Sequence, residues 1–377
     1  MDDYTLLRGD CLTEMAGMDA GSVDAVVTDP PYHLISSPAR KSGFMGKTWD
    51  GGYVANDPLT WQAAMRVLKP SHYLLAFGGT RTWHRLACAI EDAGFEIRDT
   101  LMWLYGSGFP KGKSCLKPAW EPIILARKPG PMRELGIEEC RIATSADDAE
   151  AMQRANTPGS GRMKAGGSPI GTFVRSSPTG AMDTSSGRWP ANLILDEEAG
   201  AMLDGQTGTT VARMSLRGLR GRHDAGDQSN QRIKPYTNTV RGHNDSGGAS
   251  RFFYCAKSSR SERSAGCEGM DERPGVKQFN EGMEGKTRSN GTVVKPALRQ
   301  SNTHPTVKPL ALMRWLVKLV AQPGDVVLDP FMGSGTTGVA CVMEGREFIG
   351  IEREAEYVEI ARRRIEAAAS QTRLPVE

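Results

Sequence analysis

The pattern of apolar and polar positions divides the chain into two regular parts that flank an irregular middle. Short apolar runs rich in β-branched residues are typical of buried strands, and apolar residues three and four positions apart are typical of helices. Before residue 129 the strands and helices predicted in this way alternate, which favours an α/β fold with a mostly parallel sheet. The predicted strands are Tyr4–Leu7, Val23–Thr28, His72–Phe77, Ile97–Tyr105 and Pro122–Ala126, and the predicted helices are Leu12–Met18, Leu59–Leu68 and Thr82–Ala93.

The regular alternation returns after residue 303. A helix is predicted over Leu310–Ala321, where apolar residues recur at helical spacing. A strand ending at Asp329 follows, then a glycine-rich turn, a strand over Phe348–Glu352 and a closing helix over Glu354–Ala369. The predicted organisation is therefore one α/β domain, built from residues 1-128 and 303-377 and interrupted by an insertion at 129-302.

The insertion is irregular and basic. It is rich in Gly, Ser, Thr and Arg, and only Trp189–Leu195 and Arg251–Cys255 resemble strands. Between Gly208 and Arg263 there are eleven basic and four acidic residues, a local excess of +7. Such a segment suits phosphate neutralisation on nucleic acid; a solvated loop is the alternative, and the two interpretations are compatible. The candidate DNA-binding residues are Arg217, Arg220 and Arg222, together with Arg40, Lys41 and Lys47 in a second basic loop.

Composition excludes several classes of protein. Hydrophobic residues make up 39% and charged residues 24%, which is ordinary for a soluble chain. No apolar run reaches the roughly 18 residues of a membrane span, and the acidic N-terminus lacks the apolar region of a signal peptide. The seven cysteines are scattered without a C-x-x-C pair, which argues against disulfides and metal sites and favours a cytoplasmic location. The net charge is only +3, so local patches would have to supply any affinity for nucleic acid.

The first candidate for chemistry is the tetrapeptide Asp29-Pro30-Pro31-Tyr32, which follows the strand Val23–Thr28. Open α/β sheets bind ligands at the carboxyl ends of their strands. Two consecutive prolines fix φ and remove two backbone donors, which leaves carbonyl acceptors beside a carboxylate. With the ring of Tyr32, the site would suit a flat ring with an exocyclic amine, such as an adenine or cytosine taken out of its stack. A plain turn that ends the strand is the alternative.

Asp10 is a second acid at the end of a strand. It follows Tyr4–Leu7 and precedes the helix predicted over Leu12–Met18. Its carboxylate could contact a ligand or could cap the helix. Both interpretations stay open from the sequence.

The glycine turn Gly333-x-Gly335-x-x-Gly338 matches the dinucleotide fingerprint, but a single match is weak. A P-loop is excluded because no Gly-Lys-Ser/Thr follows, and the turn lies near the C-terminus, whereas nicotinamide-binding folds begin with it. What remains is a nucleoside cofactor without a pyrophosphate, its ribose hydroxyls held by Glu352. S-adenosylmethionine meets that description; a nucleotide-dependent oxidoreductase is the more distant alternative.

Three motifs together resemble those of the DNA amino-methyltransferases that use S-adenosyl-L-methionine. They are Asp29-Pro30-Pro31-Tyr32, His304-Pro305-Thr306-Val307-Lys308-Pro309, and the segment from Asp329 to Thr337. Their order, with the target-amine motif first, resembles the circularly permuted beta class. The resemblance covers about residues 4–128 and 303–366, and the basic middle lies where that class carries its target-recognition region.

The resemblance implies a doubly wound, Rossmann-like sheet of seven strands, with the strand Tyr4–Leu7 beside Phe348–Ile351. It implies a site-specific restriction-modification type of enzyme that methylates the N6 amine of a flipped adenine in double-stranded DNA. Cytosine N4 is the close alternative, although Asp at the first motif position favours adenine. A homodimer is a possible assembly.

The implied mechanism uses no covalent intermediate. The Asp29 carboxylate and the Pro30 carbonyl would accept the two N–H bonds of the amine, which frees the nitrogen lone pair to attack the sulfonium methyl. No Pro-Cys pair occurs in the chain, which argues against methylation of a ring carbon through a cysteine nucleophile. The catalytic residues expected are Asp29, Pro30, Pro31 and Tyr32, and the cofactor-binding residues expected are Asp10, Thr306, Lys308, Asp329, Pro330, Phe331, Gly333, Gly335, Thr336, Thr337 and Glu352.

Overall fold

The computed structural model describes residues 3–33, 53–108, 116–143, 187–211, 215–217, 239–241, 246–256, 261–270, 273–274 and 299–372. One large sheet contains the strands β1 (Tyr4–Arg8), β2 (Val23–Thr28), β3 (Leu68–Phe77), β4 (Glu96–Leu104), β5 (Trp120–Arg127), β6 (Leu193–Asp196), β11 (Tyr254–Ala256), β14 (Val326–Asp329) and β15 (Glu347–Glu352). The α-helices are α1 (Cys11–Gly17), α2 (Pro58–Val67), α3 (Trp83–Asp92), α4 (Glu197–Thr207), α5 (Leu310–Val320), α6 (Thr336–Met343) and α7 (Ala355–Thr372).

The remaining strands form three short antiparallel pairs. They are β7 (Thr210–Val211) with β10 (Ser246–Gly247), β8 (Ser215–Arg217) with β9 (Thr239–Arg241), and β12 (Arg273–Pro274) with β13 (Arg299–Gln300).

The large sheet is mostly parallel and has the order β1-β15-β14-β2-β3-β5-β4-β6-β11. The strands from β1 to β3 in this order run parallel to one another. Only β5 runs antiparallel to both of its neighbours, β3 and β4. The predicted α/β class and the predicted pairing of the N-terminal strand with the strand at Phe348 are confirmed, since Tyr4 pairs with Phe348.

The sheet is wider than predicted. Seven of its strands come from the two regular parts of the chain, and two more, β6 and β11, come from the middle. The strand β6 joins because Leu193 pairs in parallel with Met102 of β4. The expected count of seven therefore becomes nine.

The centre of the sheet is covered on both faces. All six residues of β2 are buried, as are consecutive residues of β3 from Tyr73 to Phe77. Because side chains alternate between the two faces of a strand, an unbroken buried run requires a layer on each face. One layer includes α1, α2 and α3, whose Trp61 and Ile90 join Leu74 in a buried cluster. The helices α5, α6 and α7 pack on one another in sequence.

The chain divides into two compact units. The first consists of Met1–Cys140, Asn192–Ala199 and Cys255–Glu377, and the second of Arg141–Ala191 and Gly200–Tyr254. Within the second unit, the guanidinium groups of Arg188 and Arg251 lie 5.2 and 4.2 Å from the centre of the Phe252 ring. The limits predicted from composition, at residues 128 and 302, stay a prediction. Among the described residues, no helix combines the length and the apolar character needed to cross a membrane.

Candidate active site

Three neighbouring parallel strands bring three acids to one edge of the sheet. Asp29 follows β2, Asp329 ends β14 and Glu352 ends β15. They border a cavity of about 330 Å³ in the first unit. The residues of the predicted site that line this cavity are Asp10, Asp29, Pro31, Thr306, Lys308, Asp329, Pro330, Phe331, Gly333, Thr336, Thr337 and Glu352.

Asp29 belongs to a network of partly buried polar groups. The Lys308 ammonium lies 2.9 Å from Asp29 Oδ2 and 3.2 Å from Glu121 Oε2. It also donates to the Tyr32 hydroxyl at 3.0 Å, and that hydroxyl donates to Glu121 Oε2 at 3.0 Å. The other carboxylate oxygen of Asp29, Oδ1, is buried and has no hydrogen-bond partner among the described residues. One oxygen of Asp29 is therefore held, and the other is an unsatisfied acceptor.

Burial and charge act in opposite directions on this network. Burial raises the pKa of Asp29, while the Lys308 charge opposes that rise. Burial acts to lower the pKa of Lys308, but the Asp29 and Glu121 carboxylates outweigh it and the pKa is raised. Burial, together with the two carboxylates, raises the pKa of Tyr32 well above its ordinary value. Lys308 is therefore a cation and Tyr32 a neutral hydroxyl at neutral pH.

Glu121 is a site residue that the sequence interpretation missed. It lies near the beginning of β5, which runs antiparallel to its neighbours. The beginning of an antiparallel strand lies at the same edge of a sheet as the carboxyl ends of the parallel ones. An acid at the start of a predicted strand could have indicated Glu121, but only if the direction of β5 had been known.

The predicted stacking role of Tyr32 stays a prediction. Its ring has the Lys308 ammonium 5.2 Å from its centre, and its backbone carbonyl accepts from the Thr82 hydroxyl at 2.7 Å. These contacts hold the residue in place beside Asp29. Neither Tyr32 nor Pro30 belongs to the cavity wall described above.

Asp329 joins β14 to its surroundings. Its Oδ1 accepts from the Thr28 hydroxyl at 2.6 Å and from the Phe331 amide at 3.1 Å. Its Oδ2 accepts from the Thr337 hydroxyl at 2.6 Å. Burial raises the pKa of Asp329 to about 6, although these donors oppose the rise. The carboxylate thus ties together β2, β14 and the start of α6; contact with a cofactor stays a prediction.

The glycine turn needs its glycines for backbone conformation and close packing. Gly333 and Gly335 have φ angles of 54° and 77°, which side chains rarely adopt. A Cβ atom on Gly335 would lie 2.7 Å from that of Ala361. On Gly338 it would lie 2.5 Å from Ile365 Cδ1, so the third glycine of the fingerprint lets α6 approach its neighbours.

Arg364, on α7, supports the glycine turn and was not singled out from the sequence. Its guanidinium is buried and donates to the Ser334 carbonyl at 2.6 Å and to the Thr336 hydroxyl at 3.0 Å. Burial lowers its pKa to about 10. Arg364 is the last of three consecutive arginines in its helix, and the sequence gives no signal of this role because only the fold brings it under the turn.

Glu352 and Asp10 border the cavity beside the glycine turn. Glu352 accepts from the Gly333 amide at 2.9 Å and from the Glu354 amide at 2.8 Å, and burial raises its pKa. Asp10 caps α1 by accepting from the Leu12 amide at 3.1 Å, so the capping interpretation is confirmed. Asp10 also lines the cavity, and its contact with a ligand stays a prediction.

His304 and Thr306 close another side of the cavity. The ring of His304 packs edge-on against Tyr357, with 4.6 Å between the ring centres. Its Nδ1 accepts from the Thr306 amide at 3.4 Å. These contacts fix the backbone that leads to Lys308.

The predicted DNA-binding residues are not placed by the structure. Arg40, Lys41, Lys47, Arg220 and Arg222 lie outside the described residues. Only the backbone of Arg217 is described, in β8. Their contact with DNA stays a prediction.

The strand order and this site are those of an α/β protein with a ligand cavity at the carboxyl ends of its central strands. A family model described as DNA methylase, for N6 and N4 methyltransferases, matches residues 23–363. The chain belongs to this DNA methylase family.

Curated relatives share shorter stretches of sequence. The type II methyltransferase M2.DpnII of Streptococcus pneumoniae is 44% identical over 92 residues, which are 24% of this chain and 34% of that protein. The DNA adenine methyltransferase YhdJ of Escherichia coli K12 is 43% identical over 76 residues, which are 20% of this chain and 26% of that protein. The chain thus matches about a third or less of the length of these relatives.

Solved methyltransferase structures are similar over most of the chain at low identity. The PvuII cytosine-N4-specific DNA methyltransferase is 17% identical, with 96% of this chain and 86% of that chain covered and a TM-score of 0.47. The complex of M1.HpyAVI with S-adenosylmethionine is also 17% identical, with 96% and 98% covered and a TM-score of 0.41.

Proposed function

We propose that this protein transfers a methyl group from S-adenosyl-L-methionine to the exocyclic N6 amine of a flipped adenine in double-stranded DNA. Membership of the DNA methylase family supports the reaction class and favours it over a nucleotide-dependent oxidoreductase. The single observation that carries the proposal is at Asp29, which lines the cavity and whose buried Oδ1 is an acceptor without a partner among the described residues. An unsatisfied buried acceptor costs about 1–3 kcal/mol, which an entering N–H group would recover.

The proposed chemistry is positioning and charge stabilisation. An exocyclic amine is a poor nucleophile because its lone pair is delocalised into the ring. Asp29 Oδ1 would accept one N–H of the amine and the Pro30 carbonyl the other, which favours a more tetrahedral nitrogen with a free lone pair. Positive charge develops on this nitrogen during transfer, and the Asp29 carboxylate stabilises it.

The residues around the cavity suit S-adenosylmethionine. In this proposal the Glu352 carboxylate accepts from ribose hydroxyls and Asp10 accepts from the adenine amine; both residues line the cavity. Gly333 contributes wall without a side chain, since a Cβ there would lie 2.7 Å from His304 Nε2. When bound, this cofactor supplies a sulfonium methyl group for attack by the amine.

Binding of the cofactor can be tested by thermal-shift titration. A ligand at 100 times its Kd stabilises the folded state by about 2.7 kcal/mol. S-adenosylmethionine should therefore raise the unfolding temperature, and NAD should leave it unchanged. Stabilisation by NAD alone would reverse the choice between methyltransferase and oxidoreductase.

Adenine is preferred to cytosine as the target. The DNA methylase family covers both N6 and N4 products, and YhdJ is named as an adenine enzyme. Sequencing of unmethylated genomic DNA after incubation with the protein and cofactor should reveal N6-methyladenine at a defined site. N4-methylcytosine as the only product would overturn this choice.

DNA is the proposed partner, and the basic segment between Gly208 and Arg263 is its proposed contact. A DNA substrate fits the cytoplasmic location expected from the scattered cysteines. A homodimer stays a prediction, which sedimentation of the protein with and without DNA would test.

A further inference from the structure

The Lys308 ammonium lies among the polar groups around the Asp29 carboxylate, the amine site proposed above. Its Nζ lies 2.9 Å from Asp29 Oδ2, 3.2 Å from Glu121 Oε2 and 3.0 Å from the Tyr32 hydroxyl. An ammonium group has three N–H donors, and these neighbours offer it three acceptor oxygens. The centre of the Phe77 ring lies 4.9 Å away on a further side. An ammonium that keeps all three contacts has no further donor for a carboxylate of the cofactor.

We propose, resting on the methyltransferase function proposed above, that Lys308 is a positioning residue of the amine site rather than a cofactor ligand. Its ammonium holds Asp29 Oδ2 and keeps the carboxylate charged, so that Oδ1 remains an acceptor for the target amine. Glu121 is a second positioning residue, because its carboxylate holds the Lys308 ammonium in place.

The charge balance makes a cation necessary at this position. The titratable groups that face Asp29 are Lys308, Glu121 and Tyr32, with the Asp329 carboxylate farther along the cavity. Burial and both acids favour protonation of Asp29, and the Lys308 charge is the largest opposing influence, with a smaller one from the Tyr32 hydroxyl. A protonated Asp29 would carry a hydrogen that competes with the amine for its oxygens. The rate of transfer therefore depends on the Lys308 charge through the ionisation of Asp29.

The two carboxylate oxygens of Asp29 have different surroundings and therefore different proposed roles. Oδ2 is committed to the ammonium, and Oδ1 has no partner in the part of the chain that the structure describes. The Tyr32 hydroxyl accepts from Lys308 and donates to Glu121, which closes a ring of three groups. Because each member of the ring is held by two others, the ammonium cannot leave Asp29 without breaking several contacts.

The test is the pH dependence of single-turnover methyl transfer to unmethylated genomic DNA with the full-length protein. The acid limb of the profile is the pH range in which the rate falls as Asp29 becomes protonated. In Lys308→Met this limb should move to higher pH by about 1–3 units, since an opposite charge at this distance lowers a carboxyl pKa by that amount. In Glu121→Gln it should move down, because one of the charges that favour protonation of Asp29 is removed. Lys308→Arg, which keeps the charge, should retain a limb close to that of the wild type. A purely structural role would not shift the limb in opposite directions.

Lys69→Met is the matched control. It breaks a lysine–aspartate pair of similar length, 2.7 Å from Lys69 Nζ to Asp24 Oδ1, at the opposite end of β2. Its acid limb should coincide with that of the wild type. If Lys308→Met does not fold, Glu121→Gln still tests the direction of the shift, and an acid limb displaced towards higher pH in that variant would overturn the proposal.

Calorimetric titration with S-adenosylmethionine separates the two assignments of Lys308. Lys308→Met should bind the cofactor within about twofold of the wild type. A tenfold loss of affinity with an unchanged acid limb would make Lys308 a cofactor ligand and overturn the proposal.

A protein that methylates no DNA would refute the proposed function without deciding the role of Lys308. The protonated-carboxyl infrared band of Asp29, identified by its loss in Asp29→Asn, would then be followed against pH. An Asp29 titration that is the same in the wild type and in Lys308→Met would overturn the proposal by itself.

Discussion

Two acids at the ends of neighbouring strands have different surroundings and therefore different expected tasks. Asp29 lines the cavity and its Oδ1 has no partner among the described residues, whereas Glu352 accepts from the backbone amides of Gly333 and Glu354. Asp29→Ala should abolish methyl transfer and leave the cofactor Kd largely unchanged. Glu352→Ala should chiefly raise the cofactor Kd, because it removes the ribose acceptor and loosens Gly333. Methyl-transfer assays and calorimetric titration with the cofactor on both variants check this assignment of the two acids.

The control for this pair is Asp92→Ala, which removes an exposed acid at the end of α3. Neither transfer nor cofactor binding should change in it. Equal loss of cofactor affinity in the Asp29 and Glu352 variants would show that the two sites have been assigned wrongly.

Asp329 should make stability depend on pH. Burial raises its pKa to about 6 from an ordinary value of about 3.9, so the folded state binds this proton more tightly than the unfolded state. The free energy of unfolding should therefore fall as pH rises from about 4 to about 6, by on the order of 3 kcal/mol from this group. Asp329→Asn cannot ionise, and its amide can still pair with the Thr337 hydroxyl.

Urea unfolding of the wild type and Asp329→Asn across this pH range measures the contribution. The difference in the free energy of unfolding between the two proteins should change with pH below about 6 and become constant above it. A constant difference throughout would mean that Asp329 titrates alike in the folded and unfolded states.

At the scale of elements, most helices and strands were predictable, but one boundary and the width of the sheet were not. The strand β3 was expected at His72–Phe77 and instead begins at Leu68. Pro70 resembles a strand breaker, yet the pairing with β2 shifts register between Val23 and Ala25, and such irregularities tolerate proline. Strands β6 and β11 could not be assigned to this sheet, because a short apolar run in an irregular segment does not indicate its partner.

The start of α6 offers a test of the glycine turn as an element. Gly335 and Gly345 both have positive φ, 77° and 68°, but only Gly335 is crowded, with Ala361 at 2.7 Å from a built Cβ. Gly345→Ala should cost about 1–2 kcal/mol, the cost of a left-handed residue with a side chain. Gly335→Ala should cost more and should also weaken cofactor binding, because α7 cannot move away without opening the cavity. Equal destabilisation in both variants, measured by urea unfolding, would contradict the packing argument.

At the scale of the whole molecule, the sequence predicts the site residues that end parallel strands. It does not predict the site residues that other elements of the fold bring to the same edge. Asp29 and Glu352 follow apolar runs, so the sequence alone places them at the ligand edge of a sheet. Glu121 and Arg364 depend on the direction of β5 and on the packing of α7, and neither is encoded in a local pattern. The resemblance of its motif implied that Lys308 binds the cofactor, and its contact with Asp29 follows only from the fold.

The last prediction concerns how the whole protein meets DNA. Each phosphate that a basic residue neutralises releases condensed counterions and adds about −0.9 to the slope of log K against log salt. Replacing Arg217, Arg220 and Arg222 together by alanine should therefore flatten this slope by roughly two to three units if all three reach phosphates. Cofactor affinity should hardly change. A single variant that relaxes preference at one base pair by about 1–3 kcal/mol would indicate a base contact instead.

A second triple variant serves as a control that distinguishes the loss of phosphate contacts from the loss of net positive charge. It replaces three exposed arginines of the first unit by alanine, namely Arg85, Arg98 and Arg362. The net charge changes by the same amount as in the first triple variant, so long-range attraction to DNA weakens equally in both. Only the variant in the basic segment should lose slope, because counterion release requires residues that lie on phosphates. Equal slopes in the two variants would place DNA contact elsewhere, and the loop with Arg40, Lys41 and Lys47 would be the next segment to replace.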